Sequence, residues 1–269
     1  MVYLIMAKKF IPTPPCLLPK KDPRYKRWLK SLRKRPPPWC TGKTKENCPG
    51  LKKMSDTFKR EKIDNFKKWR EKARTQGLIP ASYPPFKKDE DLAFLVGIAL
   101  GDGNIYRYAR TEELRISLGT DKPKLIDYTS KVVEKVFNKK PHIHHPKNIN
   151  MVKVSVYQKN ISKRLGVPAG NRRYSTIGIP YWAWKYKRLL LACLRGLYEA
   201  EASLCIHLPT CTYNFAFHNR NEKLLHDVYL ALIKLKLHPE VRPIAIRLRR
   251  RDEVKYFEKL INFRQYDAG

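Results

Sequence analysis

From residue 91 onward, the hydrophobic and polar positions follow the same order twice. Each copy opens with an apolar helical stretch that ends in an acidic residue, LVGIALGDGNI (95–105) and LRGLYEAEASL (194–204). Stretches of alternating apolar and polar residues follow and predict strands with one buried face. Residues 122–137 and 221–237 then carry apolar residues at helical spacing. With further strands and a short closing helix, the pattern predicts an α+β fold of two tandem αββαββα repeats.

The two copies align at a constant spacing. The first motif places Asp102 opposite Glu201, an offset of 99 residues, and RISLGTDKPKLI (115–126) matches NFAFHNRNEKLL (214–225) at the same offset. A third pair, VSVYQKNI (154–161) and IRLRRRDEV (246–254), fits at a slightly smaller offset, as expected if one loop is shorter. Two separated matches at one offset indicate an internal duplication.

Composition adds a partner and a third region. The 269 residues are 42% hydrophobic, which is enough for a packed core, and 57 Lys and Arg against 24 Asp and Glu give a net charge of +33. Such a charge predicts a polyanionic partner, most often nucleic acid. Residues 1–90 hold 25 Lys and Arg against 8 Asp and Glu and are rich in proline. We therefore predict a basic N-terminal extension at 1–90, a first repeat at 91–180 and a second at 181–269.

Within the extension, residues 52–76 combine basic residues with apolar ones at mixed three- to five-residue steps. This pattern predicts one basic, partly amphipathic helix. Two interpretations stay open. The segment is either a charged linker with one nascent helix or a helical DNA-binding arm that adds salt-sensitive affinity.

Other classes of protein and site fit the sequence less well. The longest apolar run, residues 92–100, is too short to span a bilayer, and the first ten residues do not resemble a secretory signal, so we expect a cytoplasmic protein with no membrane partner. The cysteines lie at irregular spacings that favour reduced thiols without a function, namely Cys16, Cys40, Cys48, Cys193, Cys205 and Cys211. His142, His144 and His145 lie in a loop-like stretch without ligand spacing, which favours a solvated or phosphate-facing cluster over a metal site.

The two acidic helices carry small residues four positions apart, Gly97 and Gly101 in the first and Gly196 and Ala200 in the second. Glycine is costly in a helix, so its place here indicates close helix packing. Packed side by side, the helices would bring two carboxylates together at their C-terminal ends, where the helix dipole also disfavours negative charge. A bound Mg²⁺ would relieve both effects and would serve phosphodiester hydrolysis. The alternative is that each acidic residue only caps or solvates its own helix.

These motifs resemble the two motif helices of the LAGLIDADG homing endonucleases, in the monomeric class with two copies per chain. The resemblance covers residues 91–265, including the order of strands and helices after each motif. It implies that Asp102 and Glu201 are catalytic and bind Mg²⁺, with other divalent cations such as Mn²⁺ possible. It further implies a monomer with two saddle-shaped antiparallel sheets that read a long, near-asymmetric target in double-stranded DNA and cut both strands.

Three positions depart from the family pattern. Leu100 replaces an earlier acidic residue that Glu199 keeps in the second motif, and Ala202 replaces the final glycine. By resemblance, a basic residue that assists the attacking water follows the second strand of a repeat. Arg220 matches this position, whereas the first repeat has Asp121 followed by Lys122. Arg220 and Lys122 are therefore further catalytic candidates, and it stays open whether both strands are cut equally well.

Strand alternation selects candidate DNA contacts. The residues expected to face the core are Ile105, Ile116, Leu118, Leu204, Ile206, Phe215 and Phe217. The opposite face then presents side chains that can bind bases or phosphates, which favours DNA contact over a merely solvated surface. In the first repeat these are Asn104, Tyr106, Tyr108, Arg115, Ser117, Lys153 and Tyr157. In the second they are Ser203, Cys205, His207, Asn214, His218, Arg247 and Arg249.

The sequence thus predicts a Mg²⁺-dependent, site-specific DNA endonuclease. An intron RNA maturase or a transcription regulator on the same scaffold is the alternative, although a pure binder has no need of two facing carboxylates. A ribosome-associated basic protein would explain the charge but not the duplicated acidic helices.

Overall fold

A computed structural model describes residues 19–36, 38–80, 82–147, 149–171 and 176–266. The chain divides into two compact units between residues 80 and 81. Cys16 and the first ten residues lie outside the described part of the chain. None of the helices in the described part is long and apolar enough to cross a membrane.

The N-terminal unit contains the helices α1 (Pro23–Arg33), α2 (Pro49–Arg60) and α3 (Lys67–Thr75). The prediction of one helix over residues 52–76 is wrong, because α2 ends at Arg60 and α3 begins at Lys67. Lys62 adopts a φ of 50°, which is in the left-handed region and interrupts the helix. Phe58, Phe66 and Trp69 are exposed on these helices.

The second unit follows the predicted order of elements twice. The first repeat consists of α4 (Glu90–Gly101), β1 (Gly103–Arg107), β2 (Glu112–Gly119), α5 (Pro123–Phe137), β3 (His142–His144), β4 (Met151–Gln158) and α6 (Ile161–Leu165). A 3₁₀ helix at Tyr181–Lys185 precedes the second repeat. The second repeat consists of α7 (Lys187–Glu201), β5 (Ala202–His207), β6 (Thr212–His218), α8 (Glu222–Lys234), β7 (Glu240–Arg242), β8 (Ala245–Leu248) and α9 (Arg251–Leu260). The predicted α+β architecture of two αββαββα repeats is therefore confirmed.

Each repeat forms one four-stranded antiparallel sheet, in the order β1-β2-β4-β3 and β5-β6-β8-β7. The strands β1, β2 and β6 carry the predicted core residues Ile105, Ile116, Leu118, Phe215 and Phe217, all buried. Leu204 is only partly buried. The sheets therefore have one apolar and one polar face, as the alternation predicts.

The end of the β5–β6 hairpin differs from the prediction. Ile206, expected to face the core, is 43% exposed, and Leu208 in the short 3₁₀ helix that follows β5 is 70% exposed. The strand β8 pairs with β6 only from Phe215 to His218, so the tip of the hairpin extends beyond the strand next to it. Alternation identifies a strand, but only the sheet determines how far the core reaches beneath it.

The helix α4 occupies the centre of the core. Its N-terminus is capped by Asp89, whose carboxylate accepts a hydrogen bond from the Leu92 amide (3.0 Å). The negative charges of Glu90 and Asp91 in the first turn interact favourably with the helix dipole. Residues 92–100 are all buried. A helix that is apolar on every side must be covered on every side, and α7 supplies its most extensive contact.

Candidate active site and sheet surfaces

The helices α4 and α7 pack backbone against backbone. A Cβ placed on Gly97 would lie 2.2 Å from the Cys193 carbonyl oxygen, and one on Gly196 would lie 2.2 Å from that of Phe94. Any side chain at either position would force the helices apart. The predicted close approach through small residues is confirmed, and it aligns the C-terminal ends of the two helices.

The two motif carboxylates lie at these ends. Asp102 is the C-cap of α4, and Glu201 is the last residue of α7. Burial, with the negative charge of Glu201 as the second cause, raises the pKa of Asp102 to about 7, while the charge of Lys122 acts in the opposite direction. Two carboxylates that repel each other form a site at which a divalent cation replaces repulsion by attraction.

A groove of about 980 Å³ adjoins Glu201. Its walls include Asn104 and Tyr106 from β1, and His218, Asn219 and Arg220 at the end of β6 and after it. The Asn219 side-chain amide donates a hydrogen bond to Glu201 Oε1 (3.4 Å). Arg220 thus shares a groove with Glu201, and Lys122 acts electrostatically on Asp102. Each of the two basic catalytic candidates therefore lies near the carboxylate of its own repeat.

The position of Asp121 explains part of the asymmetry between repeats. A Cβ on Gly119 would lie 2.2 Å from Asp121 Oδ1, so this carboxylate turns back against the end of β2. At the matching place in the second repeat, Arg220 lines the groove instead. The two halves of the site therefore differ in charge close to their carboxylates.

Glu199 has a structural role and does not lie with the paired carboxylates Asp102 and Glu201. It is 2% exposed, and its Oε1 accepts a hydrogen bond from the Arg264 amide (2.6 Å). Burial raises the pKa of Glu199, and a hydrogen bond from Tyr266 opposes this effect. The acidic residue that only the second motif retains thus anchors the segment after α9, and Leu100 is buried at the matching position in the first. At Ala202 the backbone is extended, with a φ of −96°, and has no need of glycine.

The predicted DNA contacts of the first repeat lie together on the polar face of the first sheet. Asn104, Tyr106, Tyr108 and Tyr157 are exposed, whereas Arg115, Ser117 and Lys153 are partly buried. The register places Asn104 opposite Arg115 and Ser117 opposite Lys153. The stretch expected to be loop-like forms the edge strand β3, so His142 and His144 lie opposite Ser155 and Lys153 as exposed additions to this sheet.

The second sheet carries the predicted DNA contacts of the second repeat. Cys205, His207, His218 and Arg249 are exposed, as is Ser203, while Asn214 and Arg247 are partly buried. Arg247 Nε donates a hydrogen bond to Glu240 Oε2 (2.8 Å) on the neighbouring strand. The side-chain oxygen of Asn214 is buried without a hydrogen-bond partner among the described residues.

The cysteines of the described chain are free thiols, namely Cys40, Cys48, Cys193, Cys205 and Cys211. Burial raises the pKa of Cys193 to about 12, which keeps this thiol protonated and unreactive. Within the described ranges, no group of three or more His, Cys, Asp or Glu side chains is placed to hold a metal ion. Asp102 and Glu201 are two carboxylates that could hold a metal ion, and Mg²⁺ suits such a pair because it keeps several waters and binds phosphate oxygens.

Sequence reasoning missed two residues beside these sets. Asn219, which donates to Glu201, is adjacent to Arg220 and was detectable from the same alignment. Glu113 lies on the face of β2 that also presents Arg115, and strict alternation would have included it. Its type gave no indication that it is 3% exposed.

Solved structures with similar architecture are LAGLIDADG proteins. The homing endonuclease I-WcaI bound to its DNA recognition sequence matches 77% of this chain and 91% of its own, with a TM-score of 0.52 and 14% identity. I-DmoI in complex with DNA and Mn matches 68% of this chain and 99% of its own, with a TM-score of 0.47 and 17% identity. The N-terminal LAGLIDADG domain of DUF199/WhiA matches 68% and 88%, with a TM-score of 0.44 and 15% identity. No protein-family model and no curated protein sequence matches the chain. The chain has the LAGLIDADG homing endonuclease fold, in its two-repeat form.

Proposed function

We propose that this protein is a site-specific endonuclease that hydrolyses both strands of double-stranded DNA with Mg²⁺ held by Asp102 and Glu201. The observation that carries the proposal is the backbone contact of α4 and α7 through Gly97 and Gly196, which brings two carboxylates together at the end of both helices. With both carboxylates ionised, such a pair is unfavourable unless a cation joins it.

The remaining residues bind DNA, orient water and stabilise charge on the phosphate. The positive charge of the chain, +33 in all, attracts DNA, and the polar faces of the two sheets contact its bases and phosphates. Mg²⁺ at the carboxylate pair would polarise the scissile phosphate and lower the pKa of the attacking water. We assign to Arg220 and Lys122, one in each repeat, the roles of orienting water and stabilising charge on the phosphate. Asn219 holds the Glu201 side chain through its amide.

Both motif carboxylates come from one chain, so we expect a monomer and a target that need not be palindromic. We expect the protein to act in the cytoplasm or in an organelle. The N-terminal unit with α1 to α3 adds a second basic surface, and we assign it the role of a helical DNA-binding arm.

A cleavage selection tests the proposal. Purified protein with Mg²⁺ is incubated with a randomised duplex library, and the cut ends are sequenced. We expect discrete ends from the wild-type chain, with Mn²⁺ also active, and none from Asp102→Asn or Glu201→Gln, although both variants still retain DNA. If the wild type retains specific duplexes but does not cut them, the protein is a binder on this scaffold, such as a maturase or a regulator.

Strand-specific labelling of the recovered target examines the basic candidates. Arg220→Ala should slow the cutting of one strand by at least about tenfold, and Lys122→Ala should slow the other, because loss of one group that stabilises charge in the transition state costs about 10²- to 10³-fold. Equal slowing of both strands by either substitution would contradict the assignment of one basic residue to each half.

A further inference from the structure

The first sheet contains a buried carboxylate on its polar face. Glu113 belongs to the central strand β2 and is 3% exposed, although much of this face is open to solvent. Its Oε2 accepts hydrogen bonds from the Tyr108 hydroxyl (2.8 Å) and from Arg115 Nη2 (2.5 Å). Tyr157 is a further hydrogen-bond partner. Burial of a carboxylate is costly even when it is paired, so the presence of Glu113 at this position requires an explanation.

The ionised state of Glu113 is maintained by these partners. Burial opposes ionisation most strongly, yet the hydrogen bonds from Arg115, Tyr157 and Tyr108 lower the pKa of Glu113 below its ordinary value. The hydrogen bond to Glu113 raises the pKa of Tyr157 to about 12, so its hydroxyl remains a donor. The cluster is therefore a stable charged unit at neutral pH.

The effect of this unit is to hold the Arg115 guanidinium at one nitrogen, Nη2. Nη2 donates to Glu113 and to the Tyr108 hydroxyl (2.7 Å), and both hydrogen bonds of the Arg115 side chain within the described chain come from this nitrogen. The guanidinium carbon lies 5.4 Å from the centre of the Tyr106 ring. Arg115 is partly exposed, at 35% of its side chain. The two acceptors of Nη2 are hydrogen-bonded to each other and so lie on one side of this nitrogen, which restricts the orientations in which the planar guanidinium presents its other donors.

A fixed planar fork has a matching ligand on DNA. In the major groove, guanine offers its O6 and N7 acceptors side by side, and arginine binds them with two parallel hydrogen bonds. The same fork can also bind a phosphate with two hydrogen bonds, but a phosphate contact carries no base preference, so the selection described below distinguishes the two. The negative charge of Glu113 is covered by the surrounding side chains and so does not meet the phosphates directly.

We propose that Arg115 reads one guanine of the target and that Glu113, with Tyr108, is the positioning residue that orients it. This inference rests on the proposed function for the presence of a DNA target. In the second sheet, Thr212 and Asn214 occupy the positions that match Glu113 and Arg115. The Arg–Glu pair of that sheet, Arg247 with Glu240, joins two other strands, and its carboxylate is 44% exposed rather than buried. The two half-sites would therefore be read by different chemistry.

The test is a binding selection that does not depend on cleavage. Full-length protein retains duplexes from a randomised library in buffer without Mg²⁺, so that the selected duplexes are not cut, and the base preferences of variants are compared. Arg115→Lys keeps the charge but loses the fork, and we expect it to lose about 5- to 150-fold of discrimination for guanine at one position and to keep the other preferences. Glu113→Gln should weaken the same position.

Matched variants separate reading from folding. Arg188→Lys alters another Arg–Glu pair, with Glu90, at the far end of α7, and it should leave all preferences unchanged. Glu90→Gln changes the other partner of that pair, as Glu113→Gln does in the cluster, and should also leave the preferences unchanged. Thermal melting checks that each variant is folded.

The outcomes distinguish the two proposals. If Arg115→Lys keeps the wild-type preferences, or loses affinity equally for all sequences, the assignment of Arg115 is overturned while the proposed function stands. If the wild type shows no sequence preference, the proposed function fails and this inference fails with it.

Discussion

Replacement of Gly97 by alanine tests the packing on which the candidate site depends. The new Cβ would lie 2.2 Å from the Cys193 carbonyl oxygen and 3.0 Å from the Leu197 nitrogen, both of them backbone atoms. Ordinary contact requires about 3.5 Å, so the helices must separate by about 1 Å. No change of side-chain rotamer can relieve the clash.

Two effects oppose each other in this variant. Alanine stabilises a helix by up to about 1 kcal/mol relative to glycine, whereas overpacking costs about 1–3 kcal/mol. Because the clash involves backbone, we expect the upper end of that cost and a net loss of about 2 kcal/mol. In a unit of this size a loss of that order lowers Tm by about 4–8 °C. The cleavage rate should fall by more than the loss of stability accounts for, because a shift of about 1 Å at reacting groups can cost about 10²-fold in rate.

Scanning calorimetry of Gly97→Ala and Gly196→Ala measures the loss, and cleavage of the selected target measures the consequence for activity. Gly50→Ala in α2 is the control, because its Cβ would make only ordinary contact with the Trp39 ring at 3.7 Å. It should leave the transition of the second unit unchanged. A Gly97→Ala protein as stable and as active as the wild type would refute the close packing of α4 and α7.

Three further outcomes are expected. The pKa of Asp102 is about 7, above its unfolded value of 3.8, so its contribution to stability is full below about pH 4 and is lost as the pH rises to 7. In metal-free buffer, Asp102→Asn should therefore be more stable than the wild type at pH 8, by about 1–2 kcal/mol after solvent screening. Near pH 4 the two proteins should be equally stable. Calorimetry at the two pH values checks this, and Mg²⁺ should raise the Tm of the wild type only. Glu199→Gln should cost about 1–3 kcal/mol in urea unfolding, because it weakens the buried hydrogen bond to Arg264, and should leave base preferences unchanged. Replacing Lys67 and Lys68 of α3 by glutamine should reduce the slope of log K against log salt by up to about 0.9 for each phosphate that the variant no longer neutralises, and an unchanged slope in a filter-binding titration would argue against a DNA-binding arm.

Much of the fold was predictable because its determinants are local and occur twice. The alternation in β2 and β6 and the helical spacing in α5 and α8 are each weak alone, but the common offset joins them into one unit. Gly97 and Gly196 were informative for a related reason. A residue that is costly in a helix is explained most directly by a close approach, and the second copy showed which helix approaches.

The errors arose where a local pattern depends on distant parts of the chain. The apolar spacing of residues 52–76 continues across Lys62, and no Pro or Gly indicates that the helix stops there. Ile206 alternates correctly, yet its exposure depends on where β8 ends. Glu113 has the residue type of an exposed strand position, and only the convergence of Tyr108, Arg115 and Tyr157 makes its burial tolerable.

The two repeats have kept their backbone and changed their side chains. At matching positions one half has Asp121, Leu100 and Glu113 where the other has Arg220, Glu199 and Thr212. In a symmetric dimer, every such change would occur in both halves and would alter both half-sites together, so the target would remain palindromic. Within one chain each change acts on one half only, while the contact of Gly97 with α7 keeps the carboxylates paired. We therefore expect the selected target to be asymmetric, with the guanine preference of Arg115 confined to one half-site, and a palindromic target would contradict this account of the duplication.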